Sequence, residues 1–285
     1  MTSPQPPGEG RSPVPAEAAG LAPGRARLAG RRVVVVGAGT RASADAQAPV
    51  GNGRAISILA TREGATVACV DIDADAADDT LSQIAAAGGN ACAIVADVTD
   101  ERPCERLAAD AASSLGGIDG LVLNVGVLGE TGLAGTRPEA WDRTLAVNLR
   151  SQFLVCRTML PRLSDGGAVV FVGSIAGQRP GSFMPAYDAS KAGAHALCRH
   201  VAQEGAPRGV RANAVVPGLI DTPLGRVTSK GRPDRAVTPI PLGRQGTAWE
   251  IAYATIFLLS QEASYVTAQE LVVDGGLTVL APRLT

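Results

Sequence analysis

The amino-acid sequence predicts a doubly wound α/β domain, in which helices cover both faces of a parallel sheet. Short β-branched runs alternate with longer helical stretches from Val33 to the end of the chain. Several of these runs are apolar throughout, which is typical of strands that are covered on both faces. Each parallel connection needs a helix to return the chain, so the alternation itself indicates a parallel sheet.

The pattern places each element in turn. The predicted strands are Val33–Val36, Thr66–Asp71, Ala91–Asp97, Gly120–Asn124, Gly167–Ser174, Val210–Val216 and Glu270–Asp274. The predicted helices are 53–63, 75–87, 103–115, 138–163, 187–204 and 248–259. Two helix starts have the spacing of a capping box, Thr136 with Glu139 and Thr247 with Glu250.

One domain follows a short N-terminal segment. Residues 1–30 are rich in Pro, Gly and Ala and show no sustained periodicity, which is typical of a flexible tail. A docking arm that contacts another subunit is the alternative interpretation. No internal repeat and no second compositional region follows, so residues 31–285 are expected to form a single domain.

Composition excludes several classes of protein. The chain of 285 residues has a net charge of −1, which removes the electrostatic reason to expect nucleic-acid binding. Its longest apolar runs, Val33–Val36 and Ile256–Leu259, are too short to cross a bilayer, so no membrane partner is expected. Five cysteines without CxxC spacing, together with the lack of a signal pattern, predict a reduced cytoplasmic protein without a disulfide or metal framework.

Glycines after the first strand indicate a nucleotide site. Gly37–Thr40 and the cluster Gly51-Asn52-Gly53 lie between that strand and the first helix. Glycine permits a sharp turn against a pyrophosphate, and the helix N-terminus supplies free N–H groups. Asp71 ends the second strand, where a carboxylate can accept hydrogen bonds from an adenosine ribose. A tight left-handed turn without a ligand is the alternative.

Residues 41–50 interrupt this loop. Without a gap, the helix would begin near Thr40, and Pro49 and two glycines would break it at once. We therefore interpret Arg41–Val50 as an insertion. Three roles are open for it: an outward bulge without function, a flap over the adenosine half of the cofactor or a subunit contact, and a loop that obstructs nucleotide binding.

Tyr187 and Lys191 lie four residues apart at the start of a predicted helix, so the phenol and the ammonium share one helix face. The nearby positive charge should lower the pKa of Tyr187 from about 10 toward working pH. Such a tyrosine can exchange a proton with a carbonyl or alcohol oxygen. An ordinary amphipathic surface is the alternative, but only Lys191 and Lys230 among the 26 basic residues are lysines.

In their order along the chain, these residues resemble the short-chain dehydrogenase/reductase family over essentially all of 31–285. The signature Tyr-x-x-x-Lys is Tyr187–Lys191, and a serine with twelve residues between it and the tyrosine is Ser174. The other matching segments are Ala96–Val98, Leu123–Gly126, Ala146–Leu149 with Asn148, Asn213–Thr222 and Val272–Gly276. Two features depart from the family pattern: Val36 replaces a usual threonine, and the insertion lies in the phosphate loop.

The resemblance implies a Rossmann-type fold that transfers hydride between a secondary alcohol or ketone and a nicotinamide cofactor. Tyr187 would be the general acid/base, and Ser174 would orient the substrate oxygen. Lys191 would hold the nicotinamide ribose, and Asn148 would anchor a water of a proton relay. The resemblance also suggests a homotetramer, with helices 138–163 and 187–204 packing across an interface.

The cofactor is expected to be NAD, with NADP the less favoured choice, because the Asp71 carboxylate would repel a 2′-phosphate. Arg41 or Arg54 could instead approach that phosphate. The residues expected to bind the cofactor are Gly37, Gly39, Thr40, Gly51, Asn52, Gly53, Asp71, Asp97, Val98, Asn124, Gly126, Tyr187, Lys191, Pro217, Gly218, Ile220 and Thr222.

The substrate is expected at the carboxyl ends of the strands, under a lid at about 222–246. The pocket walls are predicted to be Val127, Leu128, Gln178, Phe183 and Met184. The lid carries Arg226, Lys230, Arg232, Arg235 and Arg244 against Asp234. This positive excess would favour an acidic or carrier-linked substrate, but it equally suits solvation. His195 and His200 are expected to have packing or surface roles.

Three functions are consistent with these features. An NAD-dependent oxidoreductase acting on a small ketone or secondary alcohol is favoured. The first alternative is an NADP-dependent ketoreductase of CoA- or carrier-linked 3-oxoacyl chains. The second is a non-catalytic nucleotide-binding scaffold, which would need none of the side chains of Asn148, Ser174, Tyr187 and Lys191.

Overall fold

The computed structural model describes residues 14–43, 47–229 and 240–280. The strands of its main sheet are β1 (Arg32–Val36), β2 (Thr66–Asp71), β3 (Asn90–Val95), β4 (Ile118–Leu123), β5 (Leu163–Val172), β6 (Arg211–Pro217) and β9 (Glu270–Val273). A short pair is formed by β7 (Ile220–Asp221) and β8 (Gly246–Thr247). The helices are α1 (Asn52–Arg62), α2 (Ala74–Ala86), α3 (Glu101–Leu115), α4 (Pro138–Leu145), α5 (Ser151–Met159), α6 (Pro185–Gly205), α7 (Pro223–Ser229) and α8 (Ala248–Leu259).

The main sheet confirms the predicted doubly wound fold. Its strand order is β3-β2-β1-β4-β5-β6-β9, and all neighbouring strands are parallel. Val36 pairs with Val70 of β2 on one side and with Leu123 of β4 on the other. The first half of the sheet therefore extends from β1 in one direction and the second half in the opposite direction. Ligands of such sheets bind at this reversal, beyond the carboxyl ends of the strands.

Alternating side chains of each strand supply two separate cores. Val34 and Val36 of β1 face the core that is shared with α3, α5 and α6. Val33 and Val35 face the opposite core, which is shared with α1 and α8. All four valines are at most 2% exposed, which explains why the strand is an unbroken apolar run.

The predicted helix over 138–163 is interrupted in the structure. A π-helical turn over Ala146–Arg150 separates α4 from α5, and a 3₁₀ turn over Leu160–Arg162 follows α5. The capping box predicted for Thr136 and Glu139 is wrong: Arg137 is the N-cap of α4, and the Thr136 hydroxyl donates to the Gly132 carbonyl. The second capping box, Thr247 with Glu250 at α8, is confirmed.

Residues 14–30 are packed, so the expectation of a flexible tail is wrong for them. Ala18 and Leu28 are buried. The Glu63 carboxylate, at the end of α1, accepts hydrogen bonds from the backbone N–H groups of Arg25 and Arg27 and from the Arg27 guanidinium. These contacts give the segment tertiary partners that its composition did not reveal. Residues 1–13 lie outside the described residues.

The predicted lid at 222–246 is only partly described. Its first part is the short helix α7, which the sequence analysis missed. Lys230, Arg232, Asp234 and Arg235 lie outside the described residues. Two lid arginines within them are neutralised: Arg226 pairs with Asp221 and Arg244 pairs with Glu250, each at 2.7 Å.

No helix among the described residues combines the length and apolarity that a membrane span requires. Over 14–43, 47–229 and 240–280, the structure also shows no grouping of three or more His, Cys, Asp or Glu side chains that could hold a metal ion.

Candidate active site

A cavity of about 520 Å³ opens at the carboxyl ends of the central strands. It brings together three of the four predicted catalytic residues, Ser174, Tyr187 and Lys191. Seven residues that were predicted from the sequence to bind the cofactor also line it: Asn52, Asn124, Gly126, Pro217, Gly218, Ile220 and Thr222. Residues from five different segments of the chain therefore meet at one place.

The glycine loop is shaped for a close approach of backbone to ligand. Gly37 has a φ of +84°, a conformation that favours glycine. Its carbonyl oxygen accepts a 2.7 Å hydrogen bond from the Asn124 carboxamide. A Cβ on Gly53 would overlap that same carbonyl oxygen. Gly51, the N-cap of α1, provides no side-chain cap, so the helix N-terminus has N–H groups available for an anion.

The two ends of the insertion are adjacent. The Gly51 amide donates a 3.0 Å hydrogen bond to the Thr40 hydroxyl, so Gly37–Thr40 is followed in space by Gly51–Gly53. Arg41 is exposed, and residues 44–46 lie outside the described residues. A direct hydrogen bond therefore joins the two parts of the glycine loop across the insertion.

Asp71 is held at the glycine loop. One carboxylate oxygen accepts from the Gly39 amide at 2.8 Å and the other from the Asp73 amide at 3.1 Å. Arg54 lies nearby on α1, but its donors are directed to the Thr80 hydroxyl (2.9 Å) and the Ala76 carbonyl (3.2 Å) on α2.

Several predicted residues lie outside the main cavity. Asp97 is exposed and accepts from the backbone and hydroxyl groups of Thr99, while Val98 is buried. Asp71 and the glycines of the loop do not line the cavity either. Of the predicted walls, Leu128, Phe183 and Met184 line it, and Val127 and Gln178 do not.

Asn148 lies in the π-helical turn and is fully buried. Its side-chain oxygen accepts from the Val127 amide at 2.7 Å, and its nitrogen donates to the Val127 carbonyl and the Ser190 hydroxyl, each at 3.0 Å. A Cβ on Gly126 would lie 3.7 Å from that oxygen and 3.6 Å from the Lys191 ammonium. The carboxamide thus fixes the loop after β4 immediately beside Lys191.

Lys191 is a buried cation. Its side chain leaves α6 to donate a 2.9 Å hydrogen bond to the Val172 carbonyl at the end of β5. The ammonium lies 5.8 Å from the centre of the Tyr187 ring. Burial disfavours the charged form and lowers the pKa of Lys191 to about 8. The predicted juxtaposition of phenol and ammonium is therefore present.

Ser174 lies two residues after the end of β5 and caps a 3₁₀ turn over Ile175–Gly177. Its hydroxyl oxygen accepts a 3.2 Å hydrogen bond from the Ala176 amide. This bond orients the hydroxyl at the cavity wall, across from the helix that carries Tyr187 and Lys191.

Sequence analysis missed the contacts behind the Ser174 turn. The Glu270 carboxylate, on β9, accepts from the Gln178 side chain at 2.9 Å and from Arg199 at 2.7 Å. The buried His195 Nδ1 lies 3.1 Å from the same carboxylate. Glu270 thereby ties the end of the serine turn to α6. His195 has the packing role that was expected, and His200 is exposed.

Burial lowers the pKa of His195, and the Lys191 charge lowers it further, while Glu270 acts in the opposite direction. The imidazole ring packs against the backbone of Gly173, the residue before Ser174, because a Cβ on Gly173 would overlap its Nε2. Only proximity in the fold reveals this arrangement, because Glu270 lies 75 positions after His195.

Further lining residues were not named from the sequence. They are Val172, Gly173, Ile175, Ala176, Arg179, Pro180, Gly181, Ser182, Leu219, Leu224, Gly225, Thr228 and Leu277, of which Leu224, Gly225 and Thr228 fall within the predicted lid. Leu224, Gly225 and Thr228 belong to α7, whose short length gave no periodic signal. Arg179 and its neighbours lie between Ser174 and Tyr187 in the sequence. Their position between two predicted catalytic residues could have identified them as lining residues of the cavity.

A parallel sheet that reverses its winding at a glycine loop, beside a cavity with a tyrosine and a buried lysine, defines a nicotinamide-dependent oxidoreductase. Comparison with known proteins supports this class. Residues 47–278 match the family model described as Enoyl-(Acyl carrier protein) reductase. The chain belongs to the short-chain dehydrogenase/reductase family.

Individual relatives cover nearly the whole chain. A 2-(S)-hydroxypropyl-CoM dehydrogenase from Xanthobacter autotrophicus is 37% identical over 81% of this chain and 93% of its own length. A 3-oxoacyl-[acyl-carrier-protein] reductase from Thermotoga maritima is 33% identical over 89% of this chain and 100% of its own. A Burkholderia xenovorans structure assigned to the same family has a TM-score of 0.82 at 40% identity, and covers 90% of this chain and 99% of its own.

Proposed function

We propose that this protein interconverts a secondary alcohol and a ketone with NAD, using Tyr187 as the general acid/base. The observation that carries the proposal is the buried Lys191 ammonium, 5.8 Å from the Tyr187 ring, in a cavity that Ser174 also lines. The names of the relatives agree with this chemistry, because they include a dehydrogenase of a hydroxypropyl compound and a 3-oxoacyl reductase.

The residues at and beside the cavity fit a dinucleotide. Gly37 and Gly53 let the loop backbone pack closely beside Asn124, and the start of α1 has uncapped N–H groups. The Asn52 side-chain oxygen is buried at the cavity without a hydrogen-bond partner in the described part of the chain. A bound cofactor would provide one. We place the cofactor against the glycine loop, Asp71, Asn124, Gly126 and the segment Pro217–Thr222.

A nicotinamide held there would supply the hydride acceptor for alcohol oxidation and the hydride donor for ketone reduction. In alcohol oxidation, the Tyr187 oxygen accepts the hydroxyl proton, and the Ser174 hydroxyl holds the substrate oxygen in place. The Lys191 ammonium favours the phenolate electrostatically. In ketone reduction the phenol returns its proton to the developing alkoxide. Asn148 holds the loop beside Lys191 in place, and we propose that it thereby supports this proton transfer.

NAD is proposed over NADP because Asp71 presents a carboxylate at the end of β2. Arg54, a candidate partner for a 2′-phosphate, has its donors engaged by Thr80 and Ala76. This arrangement disfavours the NADP-dependent ketoreductase alternative. The non-catalytic scaffold alternative is disfavoured by the shared cavity of Ser174, Tyr187 and Lys191.

The test is the variant Tyr187→Phe, assayed by NADH absorbance with a panel of ketones and alcohols. Loss of the acid/base should lower kcat roughly 10²- to 10⁴-fold. The melting temperature and the NADH dissociation constant should stay near their wild-type values. Tyr265→Phe is the matched control, because Tyr265 is fully exposed. A Tyr187→Phe enzyme that reduces ketones as fast as the wild type would disprove the assignment.

A further inference from the structure

One side of the cavity is formed by six consecutive residues, Arg179 to Met184, which we call the 179–184 wall. The wall joins the turn after Ser174 to the start of α6, which carries Tyr187. The residues proposed to hold the cofactor line the cavity from other segments. The 179–184 wall therefore faces the substrate side of the cavity.

The lining of the cavity has a positive bias. Among its described lining residues there is no Asp or Glu, and the two cations are Lys191 and Arg179. Lys191 is buried, bonded to Val172 and committed to the acid/base pair. Arg179 is exposed at the cavity, and its guanidinium contacts the Thr278 carbonyl at 3.5 Å, the outer limit of a hydrogen bond.

The two described arginines of the predicted lid do not share that state. Arg226 and Arg244 each form an ion pair at 2.7 Å, with Asp221 and Glu250 respectively. Within the ranges that the structure describes, Arg179 forms no such pair with a carboxylate. A forked guanidinium without a carboxylate partner, at the edge of an apolar cavity, is suited to a planar or tetrahedral anion.

The wall is also rigidly built around an unusual residue. Phe183 has a φ of +61°, a conformation rare for a bulky side chain, and its ring is 69% exposed. Its carbonyl accepts a 2.8 Å bond from the Gly132 amide, and the Met184 amide donates to the Ser182 hydroxyl at 2.9 Å. Backbone held in such a conformation clusters at ligand sites. The wall thus carries an apolar side chain, Phe183, four residues after Arg179.

We propose that Arg179 binds an anionic group of the substrate, so that the protein acts on oxo or hydroxy compounds that carry a carboxylate or a phosphate beyond the reacting carbon. Phe183 supplies apolar contact for the part of the substrate between the two groups. This proposal rests on the proposed function and names the substrate class of the same cavity. The charge-assisted bond would favour anionic substrates over neutral analogues of equal size.

The experiment compares acetoacetate with its neutral methyl ester in the NADH-dependent reaction of the full chain. Arg179→Gln should lower kcat/KM for acetoacetate roughly tenfold or more. Its kcat/KM for the ester should change less than about twofold, because no charge is lost there. Arg162→Gln, an exposed arginine at the end of α5, is the matched control and should leave both values unchanged.

A third substrate, acetoacetyl-CoA, identifies the source of the anion. A dependence on Arg179 for the CoA thioester but not for the free acid assigns the contact to a phosphate, whereas dependence for the free acid assigns it to a carboxylate. Equal losses for acid, ester and thioester, or no loss for any of them, would overturn the proposal. The ester rate of the wild type separately tests the proposed function, since that rate requires Tyr187 but not Arg179.

If none of the three compounds is turned over, binding decides. The dissociation constants of butanoate and butanamide for the NADH complex are measured by cofactor fluorescence. The proposal predicts tighter binding of butanoate in the wild type and equal binding of the two in Arg179→Gln. Equal binding of the two in the wild type would overturn it.

Discussion

Among the described residues, Lys191 and Arg211 are both buried cations, but they differ in their hydrogen-bond partners. Arg211 donates to three backbone carbonyls, whereas Lys191 donates to one. Lys191 is 4% exposed, and burial lowers its pKa to about 8. Burying an ammonium is unfavourable unless the site uses it, and one backbone carbonyl compensates only in part. An arginine would stay charged at all working pH values and would place a wider, forked group against Val172. Lys191 is therefore best explained by chemistry rather than by packing.

Asp71 supports a prediction about cofactor choice. Asp71→Ala removes the carboxylate that would repel a 2′-phosphate, so the ratio of kcat/KM with NAD to kcat/KM with NADP should fall roughly tenfold or more. Because Asp71 also accepts from the Gly39 amide, both cofactors should bind somewhat more weakly, and only the ratio is diagnostic. Asp78→Ala, at an exposed position of α2, is the control. An unchanged ratio would show that the discriminating residue lies elsewhere.

Individual residues were predicted from the sequence where a short spacing determines geometry. Tyr187 and Lys191 are one helical turn apart, so their proximity required only that the segment be helical. Arg54 shows the limit of such reasoning. Its position beside the nucleotide loop made it a candidate for a 2′-phosphate, but α2 takes up its donors through Thr80 and Ala76. The sequence does not reveal which partner a long side chain finds.

The glycine loop and α1 act as one element that the insertion leaves intact. Thr40 and Gly51 are joined by a hydrogen bond, and a Cβ on Gly51 would lie 3.5 Å from the Thr40 Cα. The two residues are therefore close enough to be linked directly. Shortening a surface loop also costs little and reduces the entropy of the unfolded chain.

Deleting residues 41–50 should therefore leave cofactor binding nearly unchanged. We expect an NAD dissociation constant within about threefold of the wild-type value and a melting temperature that is equal or slightly higher. Fluorescence titration and calorimetry measure the two quantities. Binding weakened tenfold or more would instead identify the insertion as a flap over the adenosine half, and tighter binding would identify it as an obstruction.

The elements that support the catalytic side chains were only partly visible in the sequence. The apolar runs predicted β5 and β6, because buried parallel strands leave a strong signal. The π-helical turn that carries Asn148 was expected to be regular helix, since a widened turn has no distinct residue pattern. The link from Glu270 to His195 and Gln178 depends on the pairing of β9 with β6, which no local pattern encodes.

The whole molecule is closed by contacts between the N-terminal segment and the last helix. The Thr247 hydroxyl, at the start of α8, donates to the Ala18 carbonyl at 2.7 Å, and a Cβ on Gly20 would overlap the Trp249 ring. Composition alone predicted a flexible tail there. A segment rich in Ala, Gly and Pro has few large apolar side chains, so its sequence shows no hydrophobic pattern even where the segment packs against the domain.

The homotetramer that the family resemblance suggests stays a prediction. Its proposed interface involves α4, α5 and α6, and Phe153 of α5 is 48% exposed on the isolated chain. An exposed aromatic residue on a helix surface suits a subunit contact. The active-site geometry described above is complete within one chain and does not depend on that contact.

The central claim, that the Lys191 charge makes Tyr187 an effective proton acceptor beside the cofactor, is tested most directly by one pH–rate profile. The measurement is kcat/KM for alcohol oxidation at saturating NAD, in the wild type and in Lys191→Met. Below about pH 8 the wild-type ammonium is charged and favours the phenolate, so activity should rise with pH at a midpoint well below that of an isolated phenol. Lys230→Met, which removes the only other lysine, is the control.

We expect Lys191→Met to move this midpoint upward by at least about one pH unit and Lys230→Met to leave it in place. The same midpoint in all three enzymes would contradict the claim, since it would mean that the charge of Lys191 does not act on the group that takes the proton.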